Sequence, residues 1–348
     1  MEVSNKLKLR LSAQKDNQTL YTNWQISRLS DNFSEFYYKT ILLNDLSQYI
    51  NQGVEEKDVI IFNSSININS QYKRYEEPIL DLTKSSDIVK YYHLGSPVSL
   101  SLNKQILILH EFFEAYRQYF SIVNKHKLNI GNKKEDLLRL YEESMAGNIR
   151  EFNLVDFFEE SIQNNNVANG DNKKKCVQEI RNVFKNSMQK LQQSLEEQVK
   201  HKSEEFHYIF NRFERPIIGI KVADDKIKLL GSDFFVQSKF TYSNSRFLET
   251  NSIKQNSPLE MILTMSILVL PSIVLILREK LVLMQQQNKN GELDQEIASL
   301  EQEIRNLENK GQQAGIAINQ PDHVQPGLID SVKRKGKQVL NEFDTEVI

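Results

Sequence analysis

Residues 257–310 limit what this chain can fold into more than any other stretch. They read Ser257-Pro258-Leu259-Glu260, then 17 residues without a charge from Met261 to Leu277, then Arg278-Glu279-Lys280, then a heptad segment from Leu293 to Leu307. Ser257 suits an N-cap, Pro258 the first helical position, and Glu260 the third, so the capping-box spacing predicts a helix start here. The expected apolar helix covers 257–287, with Met261, Ile262, Ile267, Leu270, Val274 and Leu277 among its apolar positions. At 1.5 Å per residue the charge-free run is about 26 Å long, slightly short of a ~30 Å hydrocarbon core. Pro271 inside it is expected to kink it.

Two readings of this run are open. A helix that is hydrophobic all round is either the buried centre of a domain or oligomer, or a membrane segment. Insertion is awkward in either direction. Arg278 and Lys280 at its C-terminal end favour the cytoplasmic side, and the opposite orientation would export a large N-terminal part. Met1 to Leu11 alternates Lys and Arg with Leu and has no continuous apolar stretch, so it does not read as a secretory signal. A helix buried at rest and released on activation satisfies both sets of facts.

Leu293, Ile297, Leu300, Ile304 and Leu307 repeat at 4-3-4-3, with isoleucine at a and leucine at d. That choice favours parallel dimers and predicts a coiled coil over 292–310. The alternative is a helix packed within its own chain, antiparallel to the long helix expected at 177–210. Asn288 to Gly291 allows a turn before it.

The remainder reads as α+β. An α/β portion (1–102) contains a strand at Leu7, Leu9 and Leu11 and a helix at 33–52. Val59 to Phe62 is a buried strand, Ile66 and Ile68 alternate beyond it, and Ile88 to Tyr92 and Val98, Leu100 and Leu102 are further strand candidates around Gly95-Ser96-Pro97. A helical segment (103–163) follows, with Ile106 to Val123 strongly apolar and aromatic. Asn164 to Lys175 is a polar loop. Within 176–212, Val177, Ile180, Phe184, Met188, Leu191, Leu195 and Val199 recur at three- and four-residue steps, one amphipathic helix of about nine turns. A small β-rich portion (216–256) holds a hairpin about Asp224-Asp225 and a strand through Phe234, Val236 and Phe240. Residues 311–348 read as a flexible tail with a short basic amphipathic helix between Ile329 and Phe343, which could touch anionic lipid.

Composition narrows the function. With 44 basic and 46 acidic residues the formal charge is -2, which removes the footprint of a nucleic-acid binder. Cys176 is the single cysteine, so no internal disulfide or cysteine zinc cluster forms, in keeping with a reducing, cytoplasmic setting. His110-Glu111 lacks the second histidine that a zinc-protease helix needs, because Glu114 stands there; His110 and Glu114 are read as the wet side of an aromatic helix. Glu204-Glu205 with His207, Glu142-Glu143 and Glu159-Glu160 read as surface acids. No phosphate loop and no nucleophile elbow occur. No motif identifies a family, a catalytic residue, a metal or a cofactor. The resulting expectation is a non-enzymatic, self-associating protein. It is either a membrane-associated effector or adaptor using the 258–284 helix, at or in a cytoplasmic membrane face, or a soluble cytosolic scaffold with that helix in its core. Its expected partners are copies of itself, an unidentified protein and membrane lipid, with no nucleic acid.

Overall fold

A computed structural model describes residues 6–13, 21–64, 75, 78–128, 134–147, 154–163, 170–196, 200–231, 248–254, 259–288, 290–316, 325–341 and 343–348. The chain divides into two compact units. One is built from Met1–Gly53 and Asp233–Ile348, the other from Val54–Ser232. The class is α+β, with two antiparallel sheets.

The first unit opens with strand β1 (Lys6–Ala13) and helix α1 (Asn23–Asn51). Leu7, Leu9, Leu11 and Ala13 bury one face of β1, as the period-two pattern requires. Thr22 caps α1 through a capping box: its Oγ1 accepts from Gln25 N at 3.3 Å, and Gln25 Oε1 accepts from Thr22 N at 2.9 Å. That cap starts α1 ten residues before the expected 33.

The chain then builds the second unit: β2 (Val59–Phe62), β3 (Ile79–Asp81), α2 (Ser85–His93), β4 (Pro97–Ser99), α3 (Lys104–Lys125), α4 (Lys134–Ala146), α5 (Leu154–Gln163), α6 (Gly170–Glu196), α7 (Lys200–Arg212), β5 (Ile218–Ala223) and β6 (Lys226–Leu230). Its sheet runs β3-β6-β5-β2-β4. Asp224 and Asp225 form the β5–β6 turn, as expected. Three expectations fail here. Ile88 to Tyr92 is helix α2, not a strand: Ile88, Tyr91 and Tyr92 recur at the three- and four-residue spacing of one buried helical face, while Asp87 pairs with Lys90 at 2.9 Å. Residues 170–175 open α6 and are not loop; 164–169 lie outside the described residues. The expected single long helix is described as two, α6 and α7, with 197–199 outside the description. Ile66, Ile68, Phe234, Val236 and Phe240 also lie outside it.

The chain returns to the first unit with β7 (Glu249–Lys254), β8 (Glu260–Ser266), α8 (Leu270–Gln287), α9 (Asp294–Gln313), α10 (Pro326–Leu340) and β9 (Phe343–Val347). Here the main expectation is overturned. Ser257 and Pro258 lie outside the described residues, and Glu260 begins a strand, so no helix starts with it. Met261, Leu263 and Met265 are buried and alternate with half-buried Ile262 and Thr264. Period two wins because β1 offers a complete edge: Lys6 to Ser12 pair antiparallel with Ser266 to Glu260. The chain turns at Ser266, whose Oγ accepts from Leu268 N at 3.3 Å, and passes through a 3₁₀ turn at Ile267–Val269. Pro271 then stands in the first turn of α8, where it lacks no required hydrogen bond, instead of mid-helix. The tail is corrected too. α10 fits the expected amphipathic helix, but its apolar residues Leu328, Val332, Val339 and Leu340 are buried in the unit, and β9 pairs with β1 to complete the sheet β7-β8-β1-β9.

α1, α8 and α10 meet at Gly336. A Cβ there would stand 2.2 Å from Ile276 Cδ1 and 2.7 Å from Phe36 Cε2, and both side chains are buried. Alanine would gain about 1 kcal/mol of helix propensity over glycine, whereas overpacking a filled core costs about 1–3 kcal/mol. Gly336→Ala is therefore expected to lower stability in urea denaturation. Combining it with Ile276→Val, which removes the offending Cδ1, should recover part of the loss. An unchanged or raised midpoint for Gly336→Ala alone would show that the helices are not held this close.

Candidate interaction surface

The sequence-predicted residues separate into three groups. Met261, Ile267, Leu270, Val274 and Leu277 are core, at 7% exposure or less, and Ile262 lies half-buried on the other face of β8. Leu300, Ile304 and Leu307 are also buried, but within the chain: α9 folds back antiparallel on α8. Arg278 pairs with Glu308 at 2.6 Å and Gln285 Nε2 donates to Glu301 at 3.3 Å across the two helices. Leu293 and Ile297, near the turn, are half-buried. Within its unit α9 thus packs on the helix before it, where the sequence suggested a coiled coil between chains or packing on the 177–210 segment. Asn288 fixes the turn, donating to Asp294 Oδ1 at 2.6 Å and accepting from Leu293 N at 3.1 Å.

The His110 region, read as the wet side of α3, is instead the buried end of a polar network. His110 is 8% exposed, with Nδ1 3.1 Å from the Pro97 carbonyl oxygen. Gly95, at φ +108°, brings the chain so close that a Cβ would lie 2.6 Å from Asn63 Oδ1. Ser96 N then donates to that oxygen at 2.7 Å, and Ser96 Oγ donates to Glu114 Oε1 at 2.5 Å. Arg117 donates to Ser96 Oγ and, at 2.9 Å, to the Tyr92 carbonyl, and its guanidinium lies 4.5 Å from the Tyr92 ring centroid. Burial alone would raise the Glu114 carboxyl; hydrogen bonds from Ser96 and Asn63 and the charge of Arg117 hold it below the usual range. A fully buried serine whose hydroxyl is held between a guanidinium and an ionised carboxylate is a poor nucleophile. The network ties β2, β4, α2 and α3 together. Glu159, also read as surface, is 8% exposed and pairs with Arg181 through both carboxylate oxygens.

In the first unit, chemistry gathers around α8 and α10. Lys39 is fully buried, donates to Glu35 Oε1 at 2.6 Å, and shares that carboxylate with Lys335 at 2.9 Å. Burial lowers the Lys39 ammonium, with Glu35 opposing. The four-residue spacing of Glu35 and Lys39 was visible in the sequence, but its burial was not. A small hollow of about 30 Å³ lies between α1, α8 and α10, with Leu43, Leu275 and Val332 among its walls and Lys333 at its edge. Lys333 also lines an open cleft of about 820 Å³ with Arg334, Lys337 and Glu279. Glu279 accepts from Lys337 at 2.5 Å and lies 3.4 Å from Lys333; the Lys337 hydrogen bond holds its carboxyl below the usual range. Arg334 is exposed and makes no ion pair among the described residues. Beyond the end of the cleft, Val282 and Leu283 of α8 are 50% and 52% exposed.

Among the described residues no helix is long and apolar enough to cross a membrane, and no three metal-ligating side chains gather as a metal site.

Glu303 on α9 is half-buried, and its Oε1 is buried without a hydrogen-bond partner among the described residues. Burial pushes this carboxyl up to about 8; Lys280 pulls it down, while Asp344 and Glu346 push it further up. An unfolded glutamate titrates near ~4.3, so as pH rises the unfolded chain loses this proton first. The contribution of Glu303 to stability is complete below that pH, falls as pH rises towards about 8, and levels off above. Glu303→Gln should therefore melt about 3 °C or more above wild type at alkaline pH and converge with it in acid. Identical pH profiles for the two proteins would show that the carboxyl is solvated.

No protein-family model, no curated protein and no solved structure matches this chain.

Proposed function

We propose that the chain is a non-enzymatic, self-associating binding module in which the apolar run serves as core rather than as a membrane segment. One observation carries this reading. The aliphatic residues of α8 from Leu270 to Leu277 are almost all buried, whereas Val282 and Leu283, one to two turns further along the same helix, stand half out in solvent. About half of each of these two adjacent aliphatic side chains stays in contact with water, apolar surface that a partner could cover. One turn before them, Glu279 lines a cleft with Lys333, Arg334 and Lys337, so exposed apolar and charged side chains follow one another along the helix, a mixture that protein interfaces use. A membrane-associated effector would need α8 to leave a core to which it contributes Leu270, Ile273, Val274, Ile276 and Leu277. Exposing five such side chains costs about 1.5–3 kcal/mol each, which disfavours release without a strong trigger.

Light scattering on purified protein tests the reading. The mass is expected to rise with concentration above the 40.6 kDa of one chain, and the protein to remain in the supernatant after a carbonate wash of membranes. A concentration-independent mass of one chain would refute self-association, and recovery in the washed pellet would restore the membrane reading.

A further inference from the structure

We infer that Asn290 is a site of spontaneous covalent modification, at which the Gly291 amide nitrogen closes on the Asn290 side chain and converts it to isoaspartate and aspartate. The inference is independent of the self-associating reading above. Its ground is a contrast between two asparagines in the turn that joins α8 to α9. Asn288 is locked: its Nδ2 donates to Asp294 Oδ1 at 2.6 Å, its Oδ1 accepts from Leu293 N at 3.1 Å, and a lysine follows it. Asn290 is exposed, and its side chain makes no hydrogen bond among the described residues. Gly291 follows it, also exposed and at φ +75°, and its N–H has no hydrogen-bond partner among the described residues. Three conditions for ring closure therefore meet at one peptide unit. The attacking nitrogen is free, the side-chain amide is not held away from it, and no Cβ at 291 stands in the path. The sequence has one other Asn-Gly pair, Asn169-Gly170; Asn169 lies outside the described residues, and Gly170 opens α6.

The step needs only water. Gly291 N bonds to Asn290 Cγ and gives up its proton, the Cγ–Nδ2 bond breaks, and Nδ2 takes that proton and leaves as ammonia. The product is a five-membered imide. Water then opens the imide at either carbonyl. Attack at Cγ restores the main chain and leaves an aspartate. Attack at the main-chain carbonyl breaks its bond to Gly291 N and leaves an isoaspartate, with the chain running on through the former side chain.

The position gives the change a structural consequence. The two hydrogen bonds of Asn288 close a short ring of chain that contains Asn290 and Gly291. Isoaspartate lengthens the backbone of that ring by one methylene, so the ring no longer matches its anchors at Leu293 N and Asp294. The new carboxylate also adds to the negative charge of Glu292, Asp294 and Glu296, all exposed at or just before the first turn of α9. This turn delivers α9 onto α8, where Leu300, Ile304 and Leu307 are buried and Arg278 pairs with Glu308 at 2.6 Å. Modification at Asn290 thus loosens the start of α9.

The test uses full-length protein held in mildly alkaline buffer, either native or unfolded in guanidinium, followed by digestion. Mass spectrometry with electron-based fragmentation separates isoaspartate from aspartate. Native Asn290 should convert within about threefold of its rate in the unfolded chain, as a site without protective structure does, while Asn288 in the native protein stays intact. Asn290→Gln should abolish the product and, because the side chain is exposed, melt with the wild type. The isoaspartate form, separated on anion exchange by its added charge, should exchange the Leu293 amide hydrogen about tenfold faster or more than the unmodified protein. Conversion confined to the unfolded chain, or a product that persists in Asn290→Gln, would overturn the site. An isoaspartate form whose Leu293 amide stays fully protected would overturn its effect on α9.

Discussion

The first unit depends on the hydrogen-bonding of both edges of β1. One edge takes β8 and the other takes β9, so the first described residues of the chain are locked between segments about 250 and 335 positions later. Through β1 the sheet gains its buried face of Leu7, Leu9 and Leu11, each worth about 1.5–3 kcal/mol on burial. Among the described residues, β8 without β1 would have only the irregular β7 as a neighbour, and β9 would have none. The whole second unit is inserted between β1–α1 and the return at β7. Closing the first unit therefore means bringing together segments separated by the whole length of the insert, a loop whose entropic cost grows only slowly with its length.

Once the sheet is in place, the helices follow from what it leaves uncovered. α1, α8 and α10 pack together, with Gly336 setting the distance of closest approach and Phe36 and Ile276 filling the space where its side chain would be. The charged groups that this packing traps are paired rather than excluded: Lys39 and Lys335 share Glu35, and Lys333 and Lys337 share Glu279. Paired in this way, burial of the lysine is tolerated; removing one partner would leave an uncompensated charge. Glu303 differs: among the described residues one of its oxygens has no hydrogen-bond partner. The same helices produce the exposed features of the unit. α9 packs along the last turns of α8, and Val282 and Leu283 in those turns remain half exposed.

The second unit shows how a polar cluster with the residue types of a catalytic site becomes structural. Serine, glutamate, arginine and histidine converge around Gly95, yet every hydrogen bond tightens the groups on one another. The hydroxyl is buried and the carboxylate is a weakened base. Satisfied networks of this kind fix a unique packing of the elements that carry them.

Local pattern alone determined those elements whose partners are near in sequence or whose periodicity is unambiguous. The strand at Leu7 to Leu11, the aromatic helix around Phe112, the hairpin at Asp224-Asp225 and the helical nature of Leu293 to Leu307 all follow from side-chain period and turn chemistry. The tertiary structure decided whatever depended on a distant edge. Met261 to Ser266 is apolar enough for either a helix or a strand, and a capping signal stood just before it, but the free edge of β1 selected the strand. Ile88 to Tyr92 went the other way, because one face of a short helix could bury Ile88, Tyr91 and Tyr92 together. The heptad showed that α9 needs an apolar partner without showing which; the turn at Asn288 delivered α8 from the same chain. Burial was equally hidden: His110, Glu159 and Lys39 look like surface residues until the packing encloses them. Hydrophobic pattern records how much surface a segment must hide, and only the completed fold supplies the surface that hides it.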